Sequence, residues 1–250
     1  MDNLFWFMYD VSHPRNDAII QSGTMEFKIL GDFMDKLSLA FEFRHACKRF
    51  DESKKINHAD FETILEAGRL SPSSFGLEPW HFVVVDNADI KAELRAACYD
   101  QEQVTSCSHF VILLYRKANN FTLQSPYLRQ AVARTVPDQN DETAIDIASQ
   151  DFLNYITHGL GEGLSTNHWS EMQGYIPAAN MMTTAAYHGI DSCALGGFQY
   201  PKVLSILEKH IPSFSSEVFG VGLCLAFGYR IDEQPPHIRW SLQDVTTYLS

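Results

Sequence analysis

Three apolar runs separated by helical patterns limit the fold of this sequence more than any other feature. Phe82–Val85 is continuous and rich in β-branched residues, which predicts a strand buried on both faces. Phe110–Tyr115 and Val218–Phe227 predict two further strands. Because helical patterns alternate with these runs, we expect an α/β or α+β fold with one layered core.

Helical segments are marked by apolar residues at three- and four-residue spacing. Asn57, with Asp60 three residues later, resembles a capping box, and Gly189 is a stop signal. The predicted helices span 58–70, 88–99, 170–188 and a segment from Pro201 to about His210. Residues 116–150 are polar and carry no core pattern, so we expect that segment to be irregular.

The composition excludes several classes of protein. A formal net charge of −12, with acidic residues spread along the chain, argues against a nucleic-acid-binding surface. The five cysteines form no Cys-x-x-Cys pair, and the ten histidines show no metal-ligand spacing. No apolar run approaches the ~20 residues of a membrane span. We therefore expect a cytoplasmic protein with no bound metal, nucleic acid or membrane.

The first 33 residues differ from the rest of the chain. Residues 1–33 show little sustained periodicity, whereas 34–250 contain every predicted strand and helix. We therefore interpret 1–33 as an N-terminal extension and 34–250 as the folded domain.

Two basic groups stand out in this acidic chain. Arg44, His45 and Lys48 follow a short helical pattern. Arginine offers a forked set of donors and lysine a point charge, and both suit a phosphate monoester. Taken alone, the cluster is better explained by a solvated basic face. His237 and Arg239 would enclose the same phosphate from a second side, or simply belong to a C-terminal tail.

Two segments of small residues are candidates for main-chain contact with a ligand. Pro72, Ser73 and Ser74 lie in a loop after the first long predicted helix, where backbone amides remain available. A plain helix-to-strand connection explains this loop as well. Gly196 and Gly197 suit contact with a flat ring, although Gly-Gly is also a common turn.

Other catalytic patterns are absent from the sequence. Gly159-x-Gly161-x-Gly163 lacks the preceding strand and the spacing of a dinucleotide fingerprint. Neither a His-Glu-x-x-His nor a Gly-x-Ser-x-Gly motif occurs. With a phosphate clamp but no protein nucleophile, the chemistry is expected to reside in a bound cofactor.

Taken in order along the chain, these segments resemble the signature of the FMN-dependent nitroreductase family, over about residues 40–242. The order and spacing of four motifs are highly specific together, although no single motif is decisive. The matching segments are Arg44-His45-Ala46-Cys47-Lys48, Ser71-Pro72-Ser73-Ser74 with Pro79-Trp80-His81-Phe82, Leu195-Gly196-Gly197-Phe198, and His237 with Arg239.

The resemblance implies an α+β fold with a central, mostly antiparallel sheet flanked by helices. It also implies an intertwined homodimer with two FMN molecules at the interface. One subunit would supply Arg44, His45, Lys48, His237 and Arg239 to the phosphate, ribityl chain and pyrimidine edge. The other subunit would supply Pro72, Ser73 and Ser74. The flavin ring would meet Gln101 and Gln103 and the turn Leu195, Gly196 and Gly197.

The activity implied by the resemblance is that of an FMN-dependent oxidoreductase. NADH or NADPH would reduce FMN and leave, and a nitroaromatic, quinone, flavin or similar small acceptor would then enter in a ping-pong scheme. The alternative is a flavin-binding or redox-sensing protein with little turnover. It is motivated by Gly196, where many members have glutamate, and by Ala46, where a hydroxyl residue is usual.

Overall fold

The sheet at the centre of the protein has four strands, all paired antiparallel. A computed structural model describes residues 36–249. Its strands are β1 (Trp80–Val85), β2 (His109–Arg116), β3 (Asp191–Leu195) and β4 (Phe219–Gly228), in the order β1-β2-β4-β3. The expected α+β class with an antiparallel sheet is confirmed.

Two expectations about the strands were wrong. β1 lies at an edge of the sheet and is not buried on both faces, since Val84 is 37% exposed. Strand β3 was not expected, because Cys193–Leu195 was interpreted as part of a turn. Its five residues are too few to show alternation, and its first two residues are polar.

Eight helices are present in the described part of the chain. They are α1 (36–43), α2 (His58–Arg69), α3 (Ala88–Ala97), α4 (Gln103–Ser106), α5 (Pro126–Ala133), α6 (Glu142–Asn154), α7 (Thr166–Tyr187) and α8 (Tyr200–His210). The Asn57 side chain accepts a hydrogen bond from the Asp60 amide at 2.9 Å, so the predicted start of α2 is confirmed. Helices α3, α7 and α8 also lie where helical spacing predicted them.

The two faces of the sheet pack against different helices. Phe110 and Ile112 of β2 belong to a core cluster shared with α3 and α8. Val111 and Leu113 belong to a second cluster shared with α2 and α7. This division follows from the period-two alternation of side chains along a strand. Because β2 and β4 are apolar on both faces, they read as continuous apolar runs in the sequence.

Residues 118–165, here called the helical insert, contradict the expectation of an irregular segment. They include α5, α6 and a single π-helical turn, Tyr155–Gly159. The insert has its own apolar core, to which Leu77 and Trp169 also contribute. Ser125 and Asp141 cap α5 and α6 through their side-chain oxygens. Helix α5 has only eight residues, and polar residues separate the apolar positions of α6, so neither pattern was recognised in the sequence.

Helix α7 has apolar residues on two sides. Its inner face is buried at Ala178 and Met181 against the sheet. Met172, Tyr175 and Ile176 lie on the outer face and are 45%, 49% and 38% exposed.

No helix among the described residues is long and apolar enough to cross a membrane. The predicted extension, 1–33, lies outside the described residues, and the domain boundary stays a prediction.

Candidate functional site

The basic cluster lies on a segment that runs beside β3. Residues 44–50, here called the strap, follow α1 as an irregular segment with two isolated β-bridges. Ala46 pairs in parallel with Ser192, and the Cys47 amide donates to the Ser192 carbonyl at 3.0 Å. Phe50 is fully buried and pairs with Arg230 after β4. These contacts place Lys48 next to β3.

A buried ion pair holds the start of the strap. Asp191 is 3% exposed, and its carboxylate accepts from the Arg230 Nε at 2.5 Å and from the Arg230 amide at 2.9 Å. Arg230 also donates through Nη2 to the Phe43 carbonyl at 2.8 Å and lies 4.1 Å from the Phe43 ring centroid. The pair therefore connects β3, β4 and the end of α1. Sequence reasoning missed it, although an aspartate before apolar residues needs such a partner when buried.

A sulfur atom connects two of the predicted cofactor-binding residues. The Lys48 Nζ lies 3.7 Å from the Cys193 Sγ, and the Gln103 Nε2 lies 3.9 Å from the same sulfur. Gln103 is 3% exposed and Cys193 is fully buried, whereas Lys48 is exposed. Thus β3 brings together a strap residue and a residue of α4 that are 55 positions apart.

The glycine turn after β3 is held by the segment between α3 and α4. Gln101 donates through Nε2 to the Gly197 carbonyl and to the Cys98 carbonyl, both at 2.9 Å. Its Oε1 accepts from the Gln103 Nε2 at 3.0 Å. Tyr99 and Asp100 both have left-handed backbone conformations, with φ of 55° and 56°. This strained pair reverses the chain and brings Gln101 back to the end of α3.

Two histidines bring the C-terminal segment to the strap. The rings of His45 and His237 have centroids 3.9 Å apart. His45 contacts the carbonyls of Phe43 and Pro235 at 3.0 and 2.8 Å, and the His237 Nε2 contacts the Glu42 carbonyl at 2.9 Å. These contacts bring the C-terminal segment beside the strap, and the role of both histidines at a phosphate stays a prediction.

Three cations of the predicted site have no carboxylate partner. Within residues 36–249, no ion pair involves Arg44, Lys48 or Arg239. Neighbouring arginines do pair, since Arg49 binds Asp232 at 2.9 Å and Arg230 binds Asp191. Arg239 is exposed, and its Nη1 donates to the Ile238 carbonyl at 2.7 Å. In a chain of net charge −12, such unpaired cations are suited to an anionic ligand.

The serine loop packs against α7 and the helical insert. The Ser73 Oγ accepts from the Glu78 amide at 2.8 Å, and the Ser74 amide donates to the Gln173 Oε1 at 2.9 Å. Pro72 is exposed. No contact joins Pro72, Ser73 or Ser74 to the basic cluster within the described chain. These two halves of the predicted site are therefore not joined by contacts in one subunit.

The larger surface concavities lie elsewhere. One of about 850 Å³ lies between α2 and β1, and one of about 650 Å³ is lined by Arg129 and Asp146 of the insert. Neither is lined by a predicted cofactor-binding residue. A site shared between two subunits would be an open surface in one.

The thiols near the site are not poised as nucleophiles. Burial raises the pKa of Cys47 to about 11, and the carbonyl of Arg49 accepts from its Sγ at 3.2 Å. Burial also raises the pKa of Cys193, although the Lys48 charge opposes that shift. Both thiols are therefore protonated near pH 7 and act as hydrogen-bonding groups.

Comparison with known proteins identifies the family. Residues 41–229 match the model of the Nitroreductase family. A Staphylococcus haemolyticus protein provisionally named NAD(P)H nitroreductase SH0546 is 42% identical over 214 residues, covering 84% of this chain and 95% of the relative.

Two solved structures share the fold. A nitroreductase-like protein from Streptococcus mutans gives a TM-score of 0.71 at 19% identity, covering 88% of this chain and 100% of the other. A nitroreductase from Exiguobacterium sibiricum, solved in complex with FMN, gives 0.62 at 19% identity, covering 85% and 97%. Since the family model matches well over half of the chain, this protein belongs to the nitroreductase family.

Proposed function

We propose that this protein binds FMN and transfers electrons from NADH or NADPH to a small electron-poor acceptor. The observation that carries the proposal is that Lys48, which has no carboxylate partner in the described chain, lies 3.7 Å from Cys193 of β3, the strand that leads into the glycine turn. The Staphylococcus relative named as an NAD(P)H nitroreductase and the Exiguobacterium structure with FMN support the choice of donor and cofactor.

The residues of the site fit the chemistry of FMN. Arg44 and Arg239 offer guanidinium donors to a terminal phosphate, and the described chain contains no carboxylate partner for either arginine. His45 and His237 contact backbone carbonyls, so they would serve this site by holding the C-terminal segment against the strap. A β-carbon built at Gly196 would meet no atom within 4 Å, so the turn leaves space for a planar ring. These features match a flavin mononucleotide. The sequence has no dinucleotide-binding fingerprint that would bind the adenosine diphosphate part of FAD.

Each side chain has a separate task in this scheme. When bound, FMN accepts a hydride from the nicotinamide and returns two electrons to the acceptor. Lys48 presents a positive charge beside the buried amide of Gln103, where it would stabilise negative charge on the pyrimidine edge. Arg44 and Arg239 would neutralise the phosphate. Main-chain amides of Leu195, Gly196 and Gly197 would orient the ring.

We further propose a homodimer in which the serine loop of one subunit completes the site of the other. The outer face of α7 supports this, because Met172, Tyr175 and Ile176 are apolar and exposed. The C-terminal segment adds Trp240 and Leu242, which are 81% and 68% exposed. An interface of this kind usually buries more than ~2,000 Å². We expect nitroaromatics, quinones or flavins as acceptors, a ping-pong order and a cytoplasmic location.

The test is to identify the bound cofactor and to replace the arginines that would bind its phosphate. The purified protein should release FMN on heating, as read by chromatography, and oxidise NADH or NADPH with menadione or nitrofurazone. Arg44→Ala and Arg239→Ala should each weaken FMN binding by roughly 1.5–3 kcal/mol. Lys209→Ala on α8, whose partner Glu93 lies 2.8 Å away, is the control and should leave FMN binding unchanged.

Three outcomes would contradict parts of the proposal. Recovery of FAD, or no flavin after reconstitution, would remove the cofactor assignment. FMN binding without NAD(P)H oxidation would favour the flavin-binding alternative. A monomer that still holds FMN in light scattering at micromolar concentration would remove the shared site.

A further inference from the structure

We propose that Cys193 is a positioning residue, whose buried sulfur holds the Lys48 ammonium and the Gln103 amide in the orientation that the flavin site requires. This inference rests on the proposed function. Cys193 is not one of the residues predicted to bind the cofactor. In the sequence it is only the first residue of the segment that contains the glycine turn.

The hydrogen-bond directions around the sulfur are mutually consistent. The Cys193 Sγ donates to the Ala194 carbonyl at 3.7 Å. Its lone pairs face the Lys48 Nζ at 3.7 Å and the Gln103 Nε2 at 3.9 Å, and both of these nitrogens are donors. The arrangement requires the protonated thiol, and burial raises the pKa of Cys193 in that direction. The sulfur is thus the common hydrogen-bond acceptor for two side chains that are predicted to contact the flavin.

The sulfur matters because Lys48 has little else to hold it. The strap residue is exposed, its four-carbon side chain is flexible, and the described chain provides it with no carboxylate. Ordering such a side chain costs up to about 2 kcal/mol of conformational entropy. Cys193 is immobile by comparison, since it is fully buried in β3 and paired with Ala226 of β4. A rigid acceptor therefore restricts the ammonium without neutralising its charge, as a carboxylate would.

Two substitutions of opposite character separate a positioning role from a packing role. Cys193→Val fills the site with a β-branched apolar side chain that suits a strand but accepts no hydrogen bond. Cys193→Ser keeps an acceptor but introduces a buried hydroxyl. If the sulfur positions Lys48 and Gln103, valine should impair FMN binding and serine should restore much of it. If it only fills space, valine should be harmless and serine should be the damaging change.

The experiment uses the full-length protein reconstituted with FMN. We expect Cys193→Val to raise the FMN dissociation constant roughly five- to tenfold, as for the loss of one ordinary hydrogen bond, because sulfur is a weak acceptor. We also expect a lower flavin midpoint potential, because Lys48 would no longer be held near the negative charge. Cys224→Ala is the matched control. Cys224 is fully buried in the neighbouring strand β4, and no side-chain hydrogen bond to it occurs within 36–249.

A double-mutant cycle completes the test. The effect of Cys193→Val should largely disappear when Lys48→Ala is already present, since the residue that the sulfur positions is gone. Wild-type binding and potential in Cys193→Val, with impairment in Cys193→Ser, would overturn the positioning role and leave the proposed function intact. Failure of the wild-type protein to bind FMN would overturn both.

Discussion

The helical insert pairs Arg129 and Arg134 with carboxylates, whereas the strap pairs Arg49 but leaves Lys48 without a carboxylate partner among the described residues. In the insert, Arg129 contacts both Glu142 and Asp146, and Arg134 lies 3.4 Å from Glu78. On the strap, Lys48 meets only a sulfur among side chains of the described protein. An element that neutralises its own charges contributes structure, whereas one that leaves cations unpaired retains binding capacity. The contrast is consistent with the proposal that the strap contributes to an anion-binding site.

The two regions also differ in what holds them in place. The strap is attached through a buried ion pair and backbone bonds to β3. The insert is attached through aromatic packing, with Phe152 and Trp169 ring centroids 5.2 Å apart. Among the described residues, the buried Ser149 Oγ of the insert and the Trp169 Nε1 and Ser170 Oγ of α7 have no hydrogen-bond partner, and neither has the Ser192 Oγ beside the strap. Apolar packing therefore has to offset unsatisfied polar atoms in the insert and its contact with α7.

The largest effect should come from the aromatic core of the insert. Phe152 is fully buried and packs between Phe121 and Phe75, with centroids 5.6 and 5.4 Å away. Phe152→Ala should lower the free energy of unfolding by roughly 3–5 kcal/mol, because it leaves a cavity. Urea denaturation measures this change. Ile147→Ala on the same helix, where the side chain is 59% exposed, should change stability by less than about 0.5 kcal/mol.

Removing the buried carboxylate should have the next largest effect and should reach the site. Asp191→Asn leaves the Arg230 charge without its partner, so we expect a loss of about 3 kcal/mol in unfolding free energy. FMN affinity should fall as well, because the strap loses its attachment at Phe43. In the insert, Glu142→Gln should cost at most about 1 kcal/mol, since that carboxylate is exposed. Equal losses in the two variants would contradict the contrast between the regions.

The smallest effect concerns alkaline pH. All five cysteines lie outside residues 118–165, and burial raises the pKa of Cys98 to about 11. An unfolded thiol ionises near pH 8.5, so stability is fully present below that pH and is lost as the pH rises toward 11. Replacement by Cys98→Ala should therefore reduce the stability lost between pH 8 and pH 10, by on the order of 1 kcal/mol. An unchanged pH dependence in urea denaturation would show that this thiol does not resist ionisation.

Much of the secondary structure follows from local signals. The Asn57 cap and the apolar spacing of α2 indicate a helix regardless of its neighbours. Strand β4 and the part of β2 between His109 and Arg116 are apolar because both of their faces are covered. β1 has a similar composition but lies at an edge, and composition alone does not distinguish the two positions. Short helices such as α5 and short strands such as β3 carry too few periods to be recognised.

The candidate site also has a part that the sequence predicts and a part that only the structure shows. Residue type and order along the chain were enough to select Arg44, Lys48, Gln103 and the glycine turn, and these selections remain predictions until FMN binding is measured. The structure brings Lys48, Gln103 and the turn together beside β3. It does not join Ser73 or Ser74 to them within one chain. If that contact forms between two subunits, as proposed, it is not visible in the structure of a single chain.

By itself, the sequence determined the family, the class of fold and the set of cationic and small residues suited to a flavin phosphate. Only the tertiary structure decided which of these residues meet. The Lys48–Cys193 contact spans 145 positions and the His45–Pro235 contact spans 190, and no local pattern encodes such distances. Cys193 and Asp191 are inconspicuous in the sequence. They became candidates for function because the antiparallel pairing of β3 with β4 buries them against the strap.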